Sequence, residues 1–129
     1  MSIGEQVLPE DELVRLLAEV AAAAGGYGML DHADLVAGAL AVLRPGSEVP
    51  HVIRAAARLN LKDAVAAERI LRSEALAMQP DSAIAKAHLG ASLKMQGRAM
   101  ESERVLNEVV AAGTDENAVG FARQLLAAR

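Results

Sequence analysis

The chain has 129 residues, 53% of them hydrophobic but only 2% aromatic, and a net charge of −4. That length suits one domain with a core of Ala, Leu and Val, and the acidic balance argues against a nucleic-acid surface, which needs clustered Lys and Arg. With no cysteine, disulfides, thiolate zinc sites and cysteine nucleophiles are excluded.

Alanine is the strongest helix former and strand-favouring aromatics are scarce, so the chain reads as all-α. Residues 1–8 read as a flexible tail, and the acids and missing apolar run of Met1 to Glu12 argue against a secretory signal. A first helix is expected from Pro9, with Glu10, Asp11 and Glu12 at its positive end and Gly25-Gly26 as its stop. A second runs from about Leu30 to Leu43 and halts at Arg44-Pro45-Gly46. Ser47 is the expected N-cap of a third helix reaching Leu59, with Pro50 in its first turn. A fourth is expected from Lys62 to Met78, and Pro80-Asp81 opens a fifth that ends near Met95. Gln96-Gly97 turns into a sixth, which ends at Gly113. Thr114 or Asp115 caps a seventh. No segment approaches the roughly 20 apolar residues that span a bilayer, and the cytoplasm is the expected compartment.

The sequence returns on itself about every 35 residues. Leu35-Val36 reappears as Ile70-Leu71 and Val105-Leu106, and Pro45 as Pro80. A period of this length marks stacked two-helix units, which mostly bind other polypeptides. The expected domain is a single unit over residues 9–129. Its helix pairs fall at about 10–44, 45–79 and 80–114, with a capping helix at 115–129.

The third unit carries the pattern most clearly: Leu89-Gly90, Leu93 where a Tyr is usual, Gly97 at the turn, and Ser102 for the usual small Ala. In these residues the chain resembles the tetratricopeptide repeat (TPR), which implies a TPR-like α-solenoid of three helix pairs plus a C-terminal capping helix. Three further stretches carry a narrower resemblance: Leu40-Ala41-Val42-Leu43-Arg44-Pro45, Ala85-Lys86-Ala87-His88-Leu89 and Val109 through Ala118. There the chain is similar to small TPR-like accessory proteins of bacterial type III secretion systems, the Hrp-type proteins and needle-subunit chaperones. That resemblance implies a non-enzymatic protein, with no cofactor, holding a needle or pilus subunit, often beside a small co-chaperone.

In a TPR stack the first helix of each pair lines the concave face. The period aligns Val14, Val49 and Ile84; Leu17, Val52 and Ala87; and Ala21, Ala56 and Ala91, with Leu59 and Met95 extending the stripe. An apolar stripe there suits the nonpolar face of an amphipathic helix. The same residues would pack against a neighbouring helix if the register were one residue different. His51, Arg54 and Arg58 share a face of the third helix, either as a solvated surface or as a rim that attracts an acidic segment.

No enzymatic constellation stands out. His32, His51 and His88 lack metal-ligand spacing, and Gly25-Gly26-Tyr27-Gly28 follows a helix and has no Gly-Lys-Ser/Thr sequel. No serine sits in a Gly-x-Ser-x-Gly elbow. An open apolar groove predicts self-association or dye binding by the isolated protein. A clean monomer at high concentration that ignores hydrophobic dyes would mark the stripe as ordinary core.

Overall fold

The computed structural model describes residues 10–128; the expected tail at 1–8 and the start at Pro9 lie outside them. Seven helices follow one another: α1 (Glu10–Gly26), α2 (Leu30–Leu43), α3 (Val49–Asn60), α4, α5 (Ala83–Met95), α6 (Ala99–Ala112) and α7 (Glu116–Ala127). The fourth is interrupted. It runs as Ala64–Ile70, widens into a π-helical turn over Leu71–Ala75, and closes as Leu76–Met78. α1 packs on α2, α3 on α4 and α5 on α6, while α7 closes the end against α5 and α6. The fold is a TPR-like α-solenoid of three pairs with a C-terminal capping helix.

Local chemistry sets the helix ends. Asp63 accepts from the Ala66 amide and Ser82 from the Ala85 amide, each at 3.2 Å, so α4 and α5 begin two or three residues later than Lys62 and Pro80 suggested. Asp115, rather than Thr114, caps α7 through the amides of Asn117 and Ala118 at 2.9 and 3.1 Å. Ser47 accepts from the Val49 amide at 3.2 Å, but α3 starts only at Val49. α1 ends at Gly26, as the glycine pair suggested, with Gly25 and Gly26 as its last two residues. Gly25 is there for proximity: a Cβ on it would sit 3.0 Å from the Ala57 Cβ of α3. The chain then turns at Gly28, with φ of +74°.

Alanine supplies more than half of the buried apolar residues, so helices meet through small side chains. Ala21, Ala55 and Gly90 are equivalent buried positions, and they are separated by 34 residues and then 35. The same two steps relate Ala33, Ala67 and Ser102, and again Ala37, Leu71 and Leu106. Past the π-helical turn the steps reverse, because Leu40, Ala75 and Val109 are 35 and then 34 apart. One surplus residue therefore enters the second unit between Leu71 and Ala75, and the wider turn absorbs it without a loop. A uniform period of 35 is thus replaced by 34 between the first and second pairs and 35 between the second and third.

The within-pair turns follow the same count. Gly28, Lys62 and Gly97 take left-handed φ values of 74°, 64° and 75°. Only Lys62 carries a Cβ into that region, where an L-residue loses roughly 1–2 kcal/mol. Gly90 has a different duty. A Cβ there would lie 2.4 Å from Leu106 Cδ2, and the Ser102 hydroxyl donates to the Gly90 carbonyl at 2.7 Å across the same contact.

Two substitutions test this account by urea denaturation. Lys62→Gly is expected to stabilise the protein by about 0.5–1 kcal/mol, the relief of strain exceeding the added unfolded-state entropy. Gly90→Ala is expected to destabilise it by about 1–3 kcal/mol, since Leu106 is buried and has no room to retreat.

Candidate functional site: an apolar concave groove

The first helices of the three pairs line a cavity of about 710 Å³. α1 contributes Arg15, Ala18, Glu19, Ala22 and Gly25; α3 contributes Val49, Val52, Ile53, Ala56, Ala57 and Asn60; α5 contributes Ile84 and His88; α7 adds Asn117. A second hollow of about 300 Å³ shares Ala56, Asn60 and His88 and continues through Leu59, Lys62, Ala91, Met95, Phe121 and Leu125. Together they form one groove along the stack.

The 34-then-35 register orders this wall into rows. Arg15, Val49 and Ile84 make one; Glu19, Ile53 and His88 the next; Ala22, Ala56 and Ala91 a third. The second and third units give a mainly apolar floor, with His88 set among it and Asn60 and Lys62 at its edge, and the first unit gives a charged end.

The expected stripe maps onto this wall unevenly. Val49, Val52, Ala56 and Ile84 line the main cavity, and Leu59, Ala91 and Met95 line its continuation. Val14 lines a separate hollow of about 230 Å³ beside Val49 and Pro50. Ala21 and Ala87 are fully buried, Ala87 among Leu106, Val109 and Ala118. Leu17 is half-buried and lines none of these hollows. The reason is the surplus residue: a constant step of 35 carried back to α1 lands one position, or about 100° of helix, from the wall. Arg15, Ala18, Glu19 and Ala22 are the α1 residues that face the groove. The 35-residue alignment does not mark them, nor His88 and Phe121; the breadth of the apolar face of α3 does mark Ile53. The signal that finds the α1 residues is the 34-residue spacing of Ala33 to Ala67.

The basic rim also differs from expectation. Arg58 donates two hydrogen bonds to the Asp34 carboxylate of α2, each at 2.6 Å. Arg54 donates to Glu74 of the π-helical turn at 3.0 Å, and its Nε lies 3.6 Å from Asp34. His51 lies 3.9 Å from Glu74. These side chains tie α2, α3 and α4 together and are engaged inside the fold, so they do not form a free rim. A second cluster links the next units: Glu68 accepts from Arg72, Gln96 and Arg98 at 2.8–3.0 Å. Lys94 reaches the Leu125 and Ala128 carbonyls at 2.5 Å each and pins the last turn of α7.

These contacts shift ionisation in a definite sense. The hydrogen bond from Arg58 holds Asp34 below its ordinary value against the opposing effect of burial, and the same bond raises Arg58. Burial pushes Glu68 up, but the bonds from Arg72, Gln96 and Arg98 outweigh it and the net shift is down. Burial lowers His88, favouring the neutral imidazole; its ring meets Phe121 with centroids 4.9 Å apart. Among the described residues no three His, Asp or Glu side chains gather as a metal site, and no helix is long and apolar enough to cross a membrane.

Solved TPR domains share this architecture. The first TPR domain of human RPAP3 matches with 20% identity and a TM-score of 0.67 over 87% of this chain and 88% of that one. The Arabidopsis OM64 TPR domain matches with 18% identity and a TM-score of 0.65 over 91% and 97%. The second TPR domain of human RPAP3, in complex with the HSP70 peptide SGPTIEEVD, matches with 16% identity and a TM-score of 0.60 over 89% and 99%. No family model and no curated protein matches the chain in sequence. At these identities the neighbours establish the fold.

The Asp34 pair gives a pH prediction. A carboxylate held below its ordinary value of 3.8 adds stability that is present above that pH and lost as pH falls through the folded-state value. Arg58→Met is expected to lose about 1 kcal/mol at pH 7, the pair being partly exposed. Melting curves of the two proteins should converge as the pH drops below about 4.

Proposed function

We propose that the protein binds an amphipathic helix of another protein in the concave groove, as a chaperone or adaptor without catalytic activity or cofactor. The carrying observation is the wall itself, mainly apolar over two units and continuous across both hollows through Ala56, Asn60 and His88. If a helix covers about 400 Å² of that surface, burial contributes roughly 10 kcal/mol gross at about 25 cal/mol per Å². Association and ordering remove half or more, leaving micromolar to nanomolar affinity.

The kind of ligand follows from charge. The RPAP3 neighbour holds a peptide with three acidic side chains. In this groove Arg15 is offset by Glu19, which leaves Lys62 of the second hollow as a single surplus positive charge against the three acids of such a tail. An apolar helical face is the better complement.

Within that class, the resemblance to type III secretion accessory proteins supports a needle or pilus subunit as cargo, met in the cytoplasm and shielded from aggregation. A second protein partner, such as a small co-chaperone, is supported by the first helix pair. There Leu16 and Val20 of α1 and Leu35 and Val42 of α2 stand exposed, the last two by 74% and 81%. The alternative of a scaffold joining two folded proteins rests on the same face.

Co-expression with candidate secretion subunits, followed by affinity purification, separates these readings. Ile53→Glu and Ala56→Glu place a charge on the groove wall and are expected to weaken cargo binding about 100-fold while the helical signal is retained. Leu35→Glu should keep the cargo and lose only the second partner. Binding that survives Ile53→Glu in a folded protein would refute the groove assignment.

A further inference from the structure

His88 is one of the few polar side chains in the groove wall, with Asn60, Lys62 and Asn117. His88 belongs to the wall of both hollows, in the row it shares with Glu19 and Ile53. Its Nδ1 lies 2.9 Å from the Ile84 carbonyl oxygen. A carbonyl only accepts, so Nδ1 carries the proton, and in the neutral ring Nε2 is left with a lone pair. Phe121 of α7 fixes the ring plane from the side. Among the described residues Nε2 has no hydrogen-bond partner, and it is not sealed from solvent.

From this geometry we propose that His88 reads the bound helix, accepting at Nε2 a hydrogen bond from a hydroxyl on the helix's otherwise apolar face. The inference rests on the groove being the binding surface. An apolar residue opposite Nε2 strips water from the lone pair and returns nothing, and an unpaired buried acceptor is unfavourable. A threonine at that place satisfies both partners. Opposite the apolar rows its hydroxyl finds no partner in the wall and can only bond back to its own helix, which gains nothing on binding. The preference is therefore strongest at the ligand position that faces His88, and it works by penalising the wrong residue as much as by rewarding the right one. A lysine is a poorer donor here, because its charge would enter an apolar wall.

The probe is an 18-residue amphipathic peptide with Leu and Ala on one face and Glu–Lys pairs on the other. Each apolar position in turn is made Val or Thr, which have the same shape. Affinity is measured by titration calorimetry with the full chain. One position should favour Thr over Val by about 3- to 10-fold, the range of a single neutral hydrogen bond, and the others should favour Val. His88→Leu should reverse the preference at that position alone, and His88→Gln, which keeps a polar acceptor, should preserve it. The ¹⁵N shifts of the free protein at neutral pH should show Nδ1 protonated and Nε2 bare. Val preferred throughout, a Thr preference that survives His88→Leu, or a proton on Nε2 would overturn the role of His88 while leaving the groove in place. Failure of every peptide to bind would overturn the groove reading and this inference with it.

Discussion

Close approach of helices through small side chains is the constraint on which the molecule rests. A core with almost no aromatic residues fills space only if helix axes come near one another. Alanine and glycine at the crossings allow this: Ala21, Ala55 and Gly90 on the first helices, Ala33, Ala67 and Ser102 on the second. Gly25 against Ala57 and Gly90 against Leu106 show how little room remains. Each such contact buries little area, so stability is spread over many weak contributions rather than concentrated in a few large side chains.

The division of labour among polar groups follows from that thin core. On one side of the stack, arginines reach carboxylates of neighbouring helices, Arg58 and Arg54 to Asp34 and Glu74 and Arg98 to Glu68, which Arg72 also meets within α4. These pairs brace the packing of adjoining units where side-chain burial alone is modest. The groove side has the opposite character. Its floor over the second and third units is mainly apolar, and its histidine is held in one tautomer by the backbone of its own helix.

Much of the architecture was legible because helix signals are local. Capping residues, glycines after helices and the recurrence of apolar pairs require only neighbours in sequence, and they locate the seven helices and the stack. The groove was half legible. On α3 the apolar residues spread over both the wall and the buried side, from Ile53 and Ala56 to Ala55 and Leu59, so periodicity does not separate the two faces. On α1 the step of 35 points to Val14, Leu17 and Ala21 rather than to the wall, because the surplus residue that lengthens the step lies only between α3 and α5. The fate of Arg54 and Arg58 was not legible at all, since their partners come from helices 20 or more residues away.

The π-helical turn in α4 makes the units unequal as parts. A turn wound with one extra residue keeps Leu71 and Ala75 both facing the core, and Ser73 lends its hydroxyl to the Arg69 carbonyl within it. The second unit is consequently not interchangeable with its neighbours. Grafted into an array of regular 34-residue units, it would bring its surplus residue along. The array would stay aligned only if the widened turn were transplanted intact. Modularity in this protein thus stops at the middle of one helix, and the length of a unit is a property of its winding as much as of its sequence.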